Sequence, residues 1–191
     1  MEGFILKLIC INKYFKDFCD EFNKYEDNVH RLNLGIKSND IVEIQKRLKL
    51  QFPKRYIQFL EMCNGGELYP PSGPTIFSIN NVDDYLLELN DIYNYIYTLN
   101  RQDLSIEKIK KIYLPFARTS YGDIICLDLS MNIKNKEDSH IINFDHEMGK
   151  FYALTTNFIS WLNEVMKECY VLINYDGTDK DLSIDEIKKY I

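Results

Sequence analysis

Cys126 and His146 are the first pair to weigh, because a thiol beside an imidazole can act as a nucleophile with its base. Cys126, however, lies inside the apolar run Ile124-Ile125-Cys126-Leu127, which reads as a strand and implies an inert core thiol. His140, Asp145, His146 and Glu147 have metal-ligand chemistry. Successive strand residues point to opposite faces, so Asp145 and His146 would share an ion only if a turn at His146 redirected them. The run Asp176-Gly177-Thr178-Asp179-Lys180-Asp181 has calcium-like oxygens. No register gives it both alternate ligands and a glycine at the sixth position, so it reads as a solvated acidic turn. Asp83-Asp84 and Asp185-Glu186 are paired carboxylates without an apolar setting, which suits solvated faces better than acid-base work. There is no Gly-rich phosphate loop, no Gly-x-Ser-x-Gly elbow and no His-Glu-x-x-His helix. The sequence therefore predicts no enzyme activity, no metal and no cofactor.

The bulk properties agree with a binding role. The 191 residues carry 23 Lys and Arg against 29 Asp and Glu, a net charge of -6. Affinity for nucleic acid begins with cations on phosphates, so an acidic chain is poorly equipped for it. It is well equipped to meet a basic protein, whose opposite potential steers the encounter. The five cysteines are odd in number and lack close metal-ligand spacing, which suits free thiols in a reducing compartment. The start Met1-Glu2-Gly3 is not basic, and no small-residue cleavage site follows. No apolar stretch reaches the ~18–20 residues that span a bilayer. A cytoplasmic protein without membrane contact is expected, monomer and dimer both remaining open.

The elements that would position these groups can be read from periodicity. Phe4, Leu8, Ile11, Phe15, Phe18, Phe22, Tyr25, Val29 and Leu32 step by fours and threes, which predicts one long helix ending near Gly35. The density of Phe4 to Ile11 leaves a short initial strand as the alternative. A second helix is expected from Ser38, with Asp40 and Glu43 at capping-box spacing. Pro53 should start a third helix and Asn64-Gly65-Gly66 should stop it. A short strand at 76–79 precedes a helix capped by Asn81, with Tyr93 and Tyr97 inward, and residues 106–112 add a further helical segment. Strands follow at 113–118, 124–129, 141–145 and 150–154, and a last helix is capped by Thr155 or Thr156. A short helix is expected from Ser183. Helices at both ends and strands toward the middle predict an α+β fold with a central antiparallel-rich mixed sheet flanked by helices.

Certain fragments, taken in order, resemble the SUKH superfamily, which includes bacterial immunity proteins and fungal cell-wall assembly regulators. They are Ile44 to Leu48, Phe52-Pro53-Lys54-Arg55-Tyr56, Phe59-Leu60 and Asn64-Gly65-Gly66. Leu114-Pro115-Phe116-Ala117 and Gly122-Asp123-Ile124-Ile125-Cys126-Leu127-Asp128 follow. Ile142-Asn143-Phe144-Asp145-His146-Glu147 and Asn157-Phe158-Ile159-Ser160-Trp161-Leu162 complete the set. The resemblance covers roughly 38–168 and gives three expected parts: an N-terminal helical extension at 1–37, a SUKH-like domain at 38–170 and an acidic extension at 171–191.

The resemblance implies a non-catalytic immunity protein that binds and neutralises a cognate toxin, often a nuclease. A regulatory scaffold for protein-protein interaction is the alternative. Between Ser120 and Lys150 six acids face three bases, so carboxylates there could mimic phosphates toward a basic toxin. The expected partner-binding residues are Tyr69, Asp123, Asp128, Asp145 and Glu147, with Tyr93, Tyr95 and Tyr97 as further aromatic candidates.

Overall fold

A computed structural model describes residues 4–5, 7–10, 12–130 and 137–183. Among these residues eight strands form a single sheet in chain order, β1 to β8, and every described pairing is antiparallel. They are β1 (Phe4–Ile5), β2 (Arg31–Leu34), β3 (Cys63–Glu67), β4 (Thr75–Ile76), β5 (Tyr113–Arg118), β6 (Ile124–Asp128), β7 (Ile141–Asp145) and β8 (Lys150–Thr155). Among the described residues six α-helices accompany them: α1 (Lys16–Phe22), α2 (Ser38–Leu48), α3 (Lys54–Met62), α4 (Val82–Leu99), α5 (Ile106–Ile112) and α6 (Phe158–Leu172). The fold is α+β, as the order of elements predicts. Neighbouring β6 side chains point to opposite faces, yet Ile124, Ile125, Cys126 and Leu127 are all buried, so the centre of the sheet is covered on both sides.

The N-terminal segment departs from the expected single helix. It holds β1, a 3-10 turn at Lys13–Phe15, the seven-residue α1, and then β2. The short initial strand was the better alternative. Polar residues between the rings break the helix. Asn12 caps the 3-10 turn through its side chain, which accepts from Tyr14 N at 3.1 Å. The Asn23 amide bonds both N and O of Leu8 at 2.8 and 2.9 Å, and Asn28 turns the chain at φ 81°. The apolar period is real, since Phe15, Phe18, Phe22, Tyr25 and Leu32 are buried. Different kinds of element deliver them to one core.

Two capping expectations are corrected as well. Helix α2 begins at Ser38 but has no side-chain cap, and Asp40 and Glu43 lie within it. Asn157, not a threonine, caps α6 by accepting from Ser160 N at 2.8 Å. Asn81 caps α4 as expected, accepting from Asp84 N at 2.8 Å.

Asn64-Gly65-Gly66 does not simply stop α3: it forms most of β3. Gly66 sits at φ 118°, and a Cβ there would lie 2.1 Å from the Arg31 carbonyl oxygen, so β2 can approach only a glycine. The Asn64 side chain acts as a further strand pair, bonding Ile79 N and O at 2.9 Å each.

Ring packing ties the helices to the sheet. Phe158 of α6 lies edge-on to Tyr56 (5.5 Å), Phe59 (5.2 Å) and Phe116 (5.4 Å), linking α3 and β5. Helix α1 packs on α6. The segment between α4 and α5 covers part of the β8 edge, where Arg101 N donates to Gly149 O at 2.8 Å and Gln102 Oε1 accepts from Phe151 N at 2.9 Å. The short helix expected from Ser183 falls almost wholly outside the described residues. The calcium-like run closes on itself: Thr178 donates its N–H to Asp176 Oδ1 at 3.0 Å, and Ile173 bridges Asp179.

Candidate functional site

At one end of the sheet the β5–β6 turn, the β7–β8 turn, the 69–74 loop and α6 converge. Asp123 organises this end. Its Oδ2 accepts from Asn143 Nδ2 at 3.0 Å, and its Oδ1 accepts the His146 N–H at 3.1 Å and meets His146 Nδ1 at 2.7 Å. Burial alone would raise the Asp123 carboxyl, but the bonds from Asn143 and His146 outweigh it and hold the group below its ordinary value. The same contact holds the His146 imidazole above its ordinary value. The two turns are thus joined by a charged contact. Asp145 Oδ1 accepts from Met148 N at 2.7 Å and fixes the second turn, with Gly149 at φ 63° completing it. Glu147 stands exposed at its tip.

Beside these turns lies a cleft of about 210 Å³. Tyr69 and Asn143 form part of its lining, Trp161 and Val165 of α6 supply an apolar wall, and Tyr121 and Glu168 stand at the rim. The Tyr69 hydroxyl and Asn143 Oδ1 are buried without a hydrogen-bond partner. Burial of its inner side raises the Glu168 carboxyl, and the nearby Tyr69 hydroxyl draws it partly back. That hydroxyl approaches Glu168 without closing a hydrogen bond of normal geometry.

Tyr69 is held from behind. Its backbone sits at φ 36°, a left-handed conformation that costs a non-glycine residue roughly 1–2 kcal/mol. Three hydrogen bonds retain it. Its N–H donates to His30 Nδ1 at 3.1 Å, and its carbonyl accepts from Ser72 N and Gly73 N at 3.2 and 3.1 Å. His30 is 5% exposed, stacked on Phe22 and edge-on to Tyr25, each 4.7 Å away. Desolvation lowers its pKa to about 4, so the ring is neutral and Nδ1 is free to accept.

The five expected partner-binding residues are therefore not one patch. Asp123, Asp145 and Glu147 share the turn end. Asp128 ends β6 at the other extremity, where its Oδ1 accepts from Ser130 N at 2.8 Å. Glu137 and Asp138 also lie away from Asp123: Glu137 pairs with Arg55 at 2.9 Å, and Asp138 Oδ1 accepts from Phe158 N at 2.9 Å. Tyr69 is 2% exposed, so it can meet a partner only as part of the cleft. Tyr93 is core, its hydroxyl donating to Tyr113 O at 2.8 Å, whereas Tyr97, expected inward, is half exposed.

Cys126 is fully buried and its thiol is pushed up by desolvation, while His146 is engaged with Asp123. Among the described residues no group of three or more His, Cys, Asp or Glu could hold a metal ion, and no helix is long and apolar enough to cross a membrane. Sequence reasoning missed His30, Asn143, Trp161 and Glu168. Only Asn143 left a signal, as a polar residue in the otherwise apolar run Ile141-Ile142-Asn143-Phe144.

The architecture defines an α+β domain whose antiparallel sheet is covered by helices and whose turn end presents carboxylates beside a small cleft. The model of the SMI1 / KNR4 family (SUKH-1) matches residues 35–164, and the chain belongs to that family. No curated protein matches the sequence. Strand β2 and helix α1 precede the matched span yet pair or pack with it, and β1 pairs with β2.

Proposed function

We propose that this chain is an immunity protein, which binds a cognate toxin and neutralises it by occupying its working surface, with no bond made or broken. One observation carries the reading. Asp123, Asp145 and Glu147 share the turn end of the sheet, and Glu168 lines a neighbouring apolar cleft whose described lining contains no Lys, Arg or His. Such a surface suits a basic partner. Fixed carboxylates steer the approach, and apolar area in the cleft supplies an anchor point. Membership of a SUKH family supports the same class of function.

The test is co-expression with the product of a toxin gene next to this one. The expected result is relief of growth arrest together with a stoichiometric complex on gel filtration. If no neighbouring gene product binds, the immunity reading is wrong.

A further inference from the structure

We propose that the cleft between α6 and the 69–74 loop is the socket for one arginine side chain presented by the partner protein. The assignment rests on the protein-binding reading above and adds the chemistry of the contact.

Size limits the occupant first. Sites for drug-sized molecules usually measure about 300–1,000 Å³. This cleft, at about 210 Å³, suits a single long side chain better than a metabolite or a peptide segment.

Charge and hydrogen-bonding capacity limit it next. Glu168 carries the only carboxyl among the described lining residues, which include no Lys, Arg or His. Asn143 Oδ1 can only accept, and it is buried with nothing donating to it. Its own amide nitrogen is committed to Asp123 at 3.0 Å, so the amide presents its oxygen rather than its nitrogen as the free group. The Tyr69 hydroxyl, in a side chain only 2% exposed, lies beside Glu168 without closing a hydrogen bond of normal geometry. An occupant that brings donors and a positive charge therefore complements this lining.

The walls decide between the two cationic side chains. Tyr69, Tyr121 and Trp161 contribute aromatic surface to the lining. A guanidinium stacks on aromatic faces and spreads five donors across a plane, so it can face the Glu168 carboxyl and the aromatic walls together. An ammonium is a compact, strongly hydrated charge and loses more on entering such a site. Arginine is also the cation enriched among interface anchors.

Trp161 is the sole tryptophan of the chain and lines the cleft, so its fluorescence reports occupancy directly. The probe is N-acetyl-arginine amide, titrated into the full chain against its neutral isostere, N-acetyl-citrulline amide. The expected result is a saturable change in Trp161 emission with the arginine derivative, half-complete on the order of 1–10 mM. Citrulline should give none, and Glu168→Gln should weaken the arginine response about tenfold. Glu168 lies at the rim, and unchanged circular dichroism would establish that this variant is folded.

No saturable response, equal responses to the two probes, or a response that Glu168→Gln leaves unchanged overturns the assignment. Toxin protection without arginine binding rejects the socket alone. Arginine binding without association with any neighbouring toxin keeps the socket and rejects the immunity reading.

Discussion

His30 Nδ1 accepts the main-chain N–H of Tyr69 at 3.1 Å, so a buried imidazole sets the position of a residue that lines the cleft. The bond requires the neutral ring, and desolvation keeps the ring neutral down to about pH 4. The unfolded chain has no such constraint, and its histidine titrates near the ordinary value of about 6.5.

A stability prediction follows from that difference. Above about pH 6.5 both states hold His30 neutral, and it contributes no pH dependence. As pH falls from about 6.5 toward about 4, the unfolded state takes up a proton that the native state refuses. Stability then falls by on the order of 3 kcal/mol across that window. Urea titrations at stepped pH should show the loss, and His30→Phe should flatten it even if that variant is less stable at neutral pH.

The Asp123–His146 contact has the opposite dependence at its histidine. The folded pKa of His146 is raised, so its stabilisation is complete below the unfolded value of about 6.5 and lost as pH rises through the higher folded value. The Asp123 pKa is depressed, so its contribution is present above the ordinary carboxylate value and lost as pH falls through the lower folded one. The melting-temperature difference between the parent and His146→Asn should therefore peak in mild acid and shrink above neutrality. A difference that is constant with pH would remove the charged character of this pair.

Phe158 lies within 6.0 Å, centroid to centroid, of Tyr56, Phe59, Phe116 and Trp161. Phe158→Ala should cost about 3–5 kcal/mol by urea unfolding, because fixed rings on several sides cannot collapse into the space. A loss below about 1 kcal/mol would mean that α6 is not anchored there.

Gly66→Ala should be destabilising by about 1–3 kcal/mol or more, since it forces a side chain into positive φ and against the Arg31 carbonyl. Hydrogen exchange should show the loss first in β2 and β3. Full retention of protection in both strands would contradict their close approach.

For toxin association, Asp145→Asn with Glu147→Gln should lower the on-rate more than it raises the off-rate. Raising salt should slow association in the parent, because Debye screening shortens from about 10 Å at 0.1 M to about 3 Å at 1 M. Stopped-flow rates that ignore both salt and these substitutions would exclude electrostatic steering.

The C-terminal two-thirds of the fold could be read directly because local signals agreed with tertiary need. Strands β5 to β8 carry apolar runs separated by Gly122 and Gly149 turns, and Asn81 announces α4. The segment before Gly35 could not be read this way. The same apolar residues satisfy a helical period and a shared core, and only the side-chain bonds of Asn12 and Asn23 decide between them. Strand β3 hid because Cys-Asn-Gly-Gly-Glu has no branched residue, and its pairing depends on β2 fitting against a missing Cβ. At the site, the turn acids Asp123, Asp145 and Glu147 were legible. The separation of Asp128 needed the length of β6, and the burial of Tyr69 needed His30 from a distant part of the chain.

The packing of α1 on α6 sets an order on the molecule's life. Each strand finds its partner in the segment the ribosome has just finished, so the sheet can grow as it is made. Helix α1 cannot be enclosed in that way, because it packs on a helix translated near the end of the described chain. A nascent or clipped chain lacking α6 would leave a face of α1 uncovered, and quality-control proteases would meet an N-terminal fault caused by a C-terminal loss.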